Sequence, residues 1–327
     1  MADEIRRINE RSVEAFREFG GEIKHAARHR LWLPEARSLK KQRGGFLRYF
    51  TLPGKWAYDV FFMEQNEIIA RTRRGFPHVR FCDNNPNFYA TAKWLLGNTV
   101  GIQSNFETAV LQDRQEFWDG FPYDIYNLDF CGTCFPNDQP PFSDTFRAIT
   151  KIIQEHARAR CFPFLVFLTM KALPEETNAQ ACQELMDNIE ANRVEPAFTQ
   201  AFAAAIPDTA KFVKENFCDF ITLSIPKLLC FLARDRCNID VRQRAKYRRV
   251  TDHGDAYFIA KFVFRFDVRP QRSLRIANAN YIENILKIVQ LDGIVTIDNR
   301  SITDEIRKSL AKIKAHLRKS GYPEAST

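Results

Sequence analysis

The sequence predicts a doubly wound α/β fold with a mostly parallel sheet, a C-terminal antiparallel hairpin and helical extensions. Strand-like and helix-like segments alternate between residues 46 and 193, an order typical of parallel sheets covered by helices. The run FPFLVFLTM (162–170) is continuously apolar, as expected for a strand buried on both faces. Residues 247–268 alternate on both sides of the turn Asp-His-Gly-Asp, which predicts the hairpin.

Each element is predicted from its own spacing of apolar residues. The short segments rich in aromatic and branched residues are typical of strands, and Gly97-Asn98 is a helix stop signal. Strands are predicted over 46–52, 78–86, 123–130 and 162–170, and helices over 55–70, 87–98, 141–160, 178–193, 197–217 and 221–236.

The hairpin is expected to have one face in water. Its second half alternates, with apolar residues at even positions from Ala260 to Val268 and polar residues at Lys261, Arg265 and Asp267. Such alternation is typical of an antiparallel pair with one solvated face.

Three parts are predicted along the chain. Residues 1–45 form a basic helical N-terminal arm, residues 46–270 form the α/β domain, and residues 271–327 form a small helical tail with a short strand at 294–297. The 327 residues and 45% hydrophobic content are sufficient for a large buried core.

Charge and segment composition narrow the class of protein. The net charge of +8 and pI of about 9.1 favour a polyanionic partner. No apolar run approaches the ~20 residues that span a bilayer, and the N-terminus lacks the apolar centre of a signal peptide. We therefore expect a cytoplasmic protein that is not inserted in a membrane.

A metal site is not expected. The eight cysteines are interpreted mainly as reduced, apolar core residues. Cys131 and Cys134 form one C-x-x-C without a second pair at zinc-site spacing. His25 and His29 have the spacing of a helical metal pair, but their neighbours are arginines.

Two basic segments are candidates for nucleic-acid binding. The first contains Lys40, Lys41 and Arg43, with Trp32 and Phe46 interleaved. It is either a phosphate-contacting arm with aromatic rings for stacking or a solvated helix face followed by a loop.

The second basic segment alternates along a predicted strand. Arg242, Arg244 and Lys246 would line one face of it. They form either a phosphate track or a charged edge that discourages pairing with another strand.

Candidate ligand residues follow the predicted parallel strands, because ligands bind beyond the carboxyl ends of such strands. Gly54, after Pro53, would let a ligand approach the backbone. Asp83, with Asn84, would accept hydrogen bonds from a ribose diol, although Asp-Asn-Asn-Pro is also a strong turn sequence. Asn105 and Phe106 could flank an adenine.

The segment Asn127-Leu128-Asp129-Phe130 ends a predicted strand in a carboxylate before a glycine turn. Asp129 would hold an amino group through its lone pairs, and Phe130 would stack on a base. The alternative for Asp129 is a helix N-cap or a core-edge carboxylate. The following Cys131 is either a nucleophile that attacks a base or, more simply, a buried structural cysteine.

The order of these motifs resembles the class I S-adenosylmethionine-dependent methyltransferases, whose fold is Rossmann-like. VRFCDNNPNFYATAKWLLGN followed by YDIYNLDFCGTCFP is most similar to the tRNA guanine dimethyltransferases, and the match falls on Asp129, Gly132 and Thr133. The likeness covers roughly residues 46–270. One glycine in Leu-Pro-Gly, instead of two or three, and Phe130 in place of a proline depart from the family pattern.

The resemblance implies an enzyme that transfers a methyl group from S-adenosylmethionine to an exocyclic amine of a base, with RNA favoured over DNA. It implies catalytic roles for Asn127, Asp129 and Phe130. It also implies a cofactor site formed by six residues: Pro53, Gly54, Asp83, Asn84, Asn105 and Phe106.

The departures from the family pattern leave other functions open. One alternative is a catalytically inactive methyltransferase-like module that binds nucleic acid or a partner protein, for example in a defence system. Another is an enzyme that acts on a small nucleotide.

Overall fold

A computed structural model describes residues 21–130, 132–138, 143–159, 163–250, 256–268 and 274–319. The fold is mixed α/β, with mostly parallel strands, antiparallel pairing at β7 and helices around the strands. This confirms the predicted fold class and the terminal hairpin.

The elements are numbered in chain order. The strands are β1 (Tyr49–Thr51), β2 (Val79–Cys82), β3 (Val100–Ile102), β4 (Ile125–Asp129), β5 (Phe164–Ala172), β6 (Asn238–Val250), β7 (Ala256–Asp267) and β8 (Ile294–Thr296). The helices are α1 (Glu22–Ala27), α2 (Leu33–Arg43), α3 (Tyr58–Gln65), α4 (Pro86–Leu96), α5 (Phe106–Leu111), α6 (Gln115–Trp118), α7 (Asp144–Arg158), α8 (Ala179–Arg193), α9 (Thr199–Ala205), α10 (Thr209–Glu215), α11 (Phe217–Ala233), α12 (Leu274–Val289) and α13 (Asp304–Lys319).

The chain forms two compact units, and the division into three parts stays a prediction. The first comprises Met1–Asn105, Gln115–Tyr123 and Ile297–Thr327. The second comprises Phe106–Arg114 and Asp124–Thr296. The described parts of both chain ends therefore belong to the first unit.

In the first unit, three parallel strands lie in the order β3-β2-β1. Tyr49 and Phe50 of β1 and Phe81 of β2 are fully buried, as expected for central parallel strands. The sequence did not predict β3, because three residues with a glycine in the middle give almost no strand pattern. Gly101 lies against the Phe81 ring, where a Cβ atom would clash.

The helices at the two ends of the described chain pack in the first unit. His25 Nε2 and Ser309 Oγ are 3.1 Å apart, and α2 buries Leu33, Ala36 and Leu39. Burial, with Arg28, His29 and Lys314, lowers the pKa of His25 to about 2. Residues 21–43 are thus part of the packed unit, whereas residues 1–20 of the predicted arm lie outside the described residues.

In the second unit, five strands lie in the order β4-β5-β7-β6-β8. β4 is parallel to β5, β7 is antiparallel to both β5 and β6, and β8 is parallel to β6. Eight of the nine β5 residues are buried, which confirms the interpretation of the apolar run. A bulge shifts the β6 register between Val241 and Gln243.

The expectation of a wet face on the hairpin is wrong. Lys261, predicted to face water, is 0% exposed. All residues from Ile259 to Phe264 of β7 are buried, so both faces of this inner hairpin strand are covered, and α11 packs on it. Alternation in the sequence reports polarity, and it does not show whether a helix covers the polar face.

Within the part of the chain that the structure describes, no single helix has the length and apolar content to cross a bilayer. The bent pair α10 and α11 meets these requirements only when its two helices are taken together.

Candidate functional site

The end of β1 turns sharply before α3. Pro53 is buried and Gly54 is partly exposed, with Gly54 in the left-handed region at φ 58°, which glycine adopts without strain. Ala57, immediately before α3, is also left-handed at φ 47°. The predicted close approach to the backbone therefore falls at a true turn at the carboxyl end of β1.

A buried carboxylate that the sequence did not single out fixes this turn. Asp59 is 2% exposed. It accepts hydrogen bonds from the Tyr49 hydroxyl at 2.7 Å and from Thr51 Oγ1 at 2.5 Å. Burial first, and then Asp59, raise the pKa of the Tyr49 hydroxyl well above its usual value. The first turn of α3 is thereby tied to β1.

Asp83 lies at the carboxyl end of β2 and forms the predicted turn. Its Oδ1 accepts a hydrogen bond from the Asn85 amide at 2.9 Å, and Asn85 caps α4 by accepting from the Asn87 and Phe88 amides. The Asp83 amide donates to Ile102 O at the end of β3, and the Asp83 carbonyl accepts from the Ser104 amide. The neighbouring Asn84 is exposed.

Asp83 is also electrostatically unusual. Burial raises its pKa to about 6, and the hydrogen bond from Asn85 acts in the opposite direction. The carboxyl group therefore changes charge within a physiological pH range. A partly exposed carboxylate at a strand end with a raised pKa is a frequent feature of functional sites.

This raised pKa has a consequence for stability. As pH rises from about 4 to 6, the unfolded state loses the Asp83 proton before the folded state does, so stability falls and stays lower above pH 6. The variant Asp83→Asn keeps the acceptor oxygen. We expect its free energy of unfolding, relative to that of wild type, to be about 1–2 kcal/mol higher at pH 8 than at pH 4.5. Thermal melts of both proteins at the two pH values measure this, and an equal difference at both would contradict it.

Asn105 and Phe106, which follow β3, belong to different units. Asn105 is exposed and is the last residue of that segment of the first unit. Phe106 is 2% exposed and begins α5 in the second unit. Its ring lies 6.1 Å from the Phe130 ring in an edge-to-face contact. Phe106 therefore packs against a predicted catalytic residue.

Asp129 is the last residue of β4, in the second unit. Its side chain is partly exposed, whereas Asn127 is fully buried. The Phe130 amide donates to Thr169 O at 3.0 Å, which extends the strand pairing past Asp129. The N-cap position of α7 is Ser143, so Asp129 is not the cap of the next helix.

A row of polar side chains crosses three strands at this level. Asp129 pairs with Thr169 of β5, and Thr169 pairs with Lys261 of β7. Directly paired residues share one face of a sheet. Lys261 Nζ donates to Thr169 Oγ1 at 2.9 Å. The sequence missed this row because its members are separated by 40 and 92 residues and become neighbours only through the strand order.

Cys131 lies outside the described residues, so its predicted alternative as a nucleophile stays a prediction. Cys134 is 1% exposed, and burial raises the pKa of its thiol far above the usual value, as for a structural cysteine. Within the described ranges, no group of three or more His, Cys, Asp or Glu could hold a metal ion.

The basic residues of β6 take part in contacts within the second unit. Arg242 lies at the bulge and pairs with Asp240 at 3.2 Å, and Lys246 pairs with Asp219. Arg244 is 6% exposed, and its guanidinium donates to the carbonyls at the end of α12: Lys287, Ile288 and Gln290. The phosphate track predicted here is therefore not an open row of cations, since Arg244 closes a helix end and a bulge interrupts the alternation.

The basic residues of the first unit are arranged differently. Lys40, Lys41 and Arg43 all lie in the last turn of α2. Lys40 Nζ lies 5.0 Å from the centre of the Phe46 ring, a cation–π distance. Phe46 itself is 54% exposed.

Comparisons with known proteins give limited matches. A family model described as PP_RS20740-like matches residues 111–231, less than half of the chain. No curated protein sequence matches the chain.

One solved structure that aligns with the chain is the crystal structure of the plantazolicin methyltransferase BamL in complex with a triazolic desmethylPZN analog and SAH. It is 10% identical, with 82% of this chain and 99% of that chain covered, at a TM-score of 0.30.

Proposed function

We propose that the chain is an S-adenosylmethionine-dependent methyltransferase that modifies an exocyclic amine of a nucleic-acid base. The observation that carries the proposal is Asp129, a partly exposed carboxylate that ends β4 beside the Phe106–Phe130 ring pair. An acceptor next to an aromatic face suits a base amine. The finer substrate assignment comes from the motif resemblance.

The residues of the first unit fit the nucleoside part of this cofactor. Gly54 gives an open turn after β1, and the Asp83 carboxyl group is a partly exposed acceptor after β2. A carboxylate is the group expected to accept hydrogen bonds from ribose hydroxyls. When bound, the cofactor would supply a methyl group activated by its sulfonium charge.

The proposed roles in the second unit are positional. Asp129 would accept an N–H hydrogen bond from the base, which directs the nitrogen lone pair away from the carboxylate, and could take up the proton that the amine loses. Phe130 would hold the base plane by stacking. Asn127 is fully buried, so its proposed contribution is to the strand that carries Asp129. Such positioning accounts for much of the rate enhancement in reactions of this type.

Two measurements on one set of variants test the proposal. Calorimetric titration with S-adenosylhomocysteine should show micromolar binding to wild type that Asp83→Ala weakens at least about tenfold, since a charged hydrogen bond contributes ~1.5–3 kcal/mol. Asp129→Ala should keep this binding. Absence of binding to wild type would contradict the cofactor assignment.

Methyl transfer is measured with a radiolabelled donor on total RNA and on single-stranded DNA. We expect Asp129→Ala to lower transfer about 100-fold or more, and Asp129→Asn, which keeps one acceptor oxygen, to lower it less. Equal rates for wild type and Asp129→Ala would contradict the assigned role.

A second function is favoured by the Asp83 turn. One carboxylate oxygen of Asp83 is already engaged by the Asn85 amide, and the first motif has one glycine. An inactive methyltransferase-like module that binds nucleic acid or a partner protein would have such a site. It predicts no heat with either S-adenosylmethionine or S-adenosylhomocysteine.

A further inference from the structure

The first unit has an open groove beside the end of α2, called here the α2 groove. Its volume is about 590 Å³, within the usual range of ligand sites. The lining includes Arg37, Lys40 and Lys41, and Glu67 is the acidic residue in it. The groove therefore has three cations against one carboxylate.

Two glycines in the groove lining, Gly44 and Gly45, leave room for a ligand near the main chain. Gly44 ends α2 in the left-handed region at φ 73°, and its amide donates to Lys40 O at 3.0 Å. A Cβ atom added at Gly44 or Gly45 would meet no other atom within 4 Å. Two glycines that face open space let a phosphate or sugar approach the backbone closely.

An aromatic ring stands next to these cations. Phe46 is 54% exposed, and Lys40 Nζ lies over it at 5.0 Å. Arg37 Nη2 donates to Asn66 Oδ1 at 3.2 Å, which holds one guanidinium in place. An exposed ring beside these cations offers a stacking face together with phosphate contacts.

The α2 groove is separate from the candidate cofactor residues of the same unit. The chain enters β1 directly after Phe46, and the Leu47 amide donates to Ile68 O at 3.0 Å, with Ile68 in the groove lining. The groove therefore lies at the amino end of β1. Pro53 and Gly54 follow its carboxyl end, so a ligand in one place would not occupy the other.

We propose that the α2 groove binds a short stretch of single-stranded nucleic acid. The phosphates contact Arg37, Lys40 and Lys41, and one base stacks on Phe46. A duplex is disfavoured because its base faces are covered, whereas a single strand offers both a charged backbone and free base faces. The inference depends on the groove alone and does not require methyl transfer.

The first test is fluorescence anisotropy with a labelled eight-nucleotide oligouridine at several salt concentrations. Three phosphate contacts predict a slope of about −2 in a plot of log K against log salt, at ~0.7 for each single-strand contact. Lys40→Ala/Lys41→Ala should weaken binding at least about tenfold and reduce the slope to about −0.7. An unchanged affinity and slope in this variant would overturn the proposal.

A matched control has the same loss of charge elsewhere on the first unit. Lys308 and Lys312 are exposed on α13 and outside the groove lining. Lys308→Ala/Lys312→Ala should bind like wild type. Equal losses in the two double variants would mean that net charge, and not the α2 groove, accounts for binding.

Two single variants separate stacking from charge. Phe46→Ala should weaken binding about fivefold or more with the slope unchanged, and Phe46→Trp should restore it. Glu67→Gln should tighten binding about two- to fivefold at low salt, because it removes the negative charge of the groove. Circular dichroism melts check that each variant is folded, and no effect from either substitution would contradict the assigned geometry.

Alternative anionic ligands are arms of the same experiment. A duplex of equal length should bind more weakly than oligouridine. Vesicles that contain phosphatidylserine should not bind through Lys40 and Lys41. Loss of vesicle binding in Lys40→Ala/Lys41→Ala, together with no binding of oligouridine by wild type, would overturn the proposal in favour of a lipid surface.

Discussion

Asp59→Ala is expected to lower the free energy of unfolding by about 3–5 kcal/mol. The carboxylate is 2% exposed and receives hydrogen bonds from Tyr49 and Thr51. Each hydrogen bond to a charged group contributes ~1.5–3 kcal/mol, and the alanine variant leaves two buried hydroxyl groups without this acceptor. Urea denaturation followed by tryptophan fluorescence measures the loss.

Tyr49→Phe is the matched control for Asp59→Ala. It removes one of the two donors and leaves the carboxylate bound to Thr51, so we expect a loss of about 1–2 kcal/mol. The double variant should cost less than the sum of the two single changes, because both remove the same hydrogen bond. Additive losses would show that the Asp59–Tyr49 contact contributes little.

Arg244→Met is expected to lower the free energy of unfolding by about 2–4 kcal/mol. The guanidinium donates to three carbonyls at the end of α12, and such helix-end groups need partners when buried. Burial lowers the pKa of Arg244 to about 10, against the opposing effect of Asp292 and Asp219, so the group is charged at neutral pH. Methionine fills the volume of the aliphatic part of the arginine side chain but has no N–H donors.

Arg242→Met removes the same charge two residues earlier in β6. Its ion pair with Asp240 is 38% exposed on the arginine side, and exposed pairs contribute about 0–1 kcal/mol. Thermal and urea denaturation of both variants compares them directly. A loss for Arg242→Met as large as that for Arg244→Met would contradict the helix-end role of Arg244.

The sequence predicted the elements whose pattern is local. The β5 run, the hairpin and the helices α4, α7 and α8 follow from spacing and end signals within a few residues. β3 was not predicted, because three residues with a central glycine show no detectable alternation of apolar and polar residues. The helical stretch 197–217 becomes α9 and α10, since the break at Ile206-Pro207-Asp208 contains a proline that interrupts helical hydrogen bonding.

Candidate site positions could be predicted where a polar residue or a glycine comes directly after a predicted strand. The positions of Gly54, Asp83 and Asp129 at strand ends were predicted because polar residues or glycine come directly after apolar runs. Lys261 and Arg244 were misinterpreted because their partners lie 92 and 43–46 residues away. Only the strand order and the position of α12 show that these side chains are buried, and neither is visible in a local pattern.

The Lys261 side chain has a bearing on which amines Asp129 would accept. In its protonated form, Lys261, two strands away and about 10 Å between main chains at the usual strand spacing, would reduce the negative potential at that carboxylate. An alkylammonium ion would gain little attraction there, whereas an uncharged aromatic amine needs only a hydrogen-bond acceptor. Under the proposed function, the protonation state of the amine would thus separate an uncharged nucleobase amine from a lysine ammonium group at the end of β4.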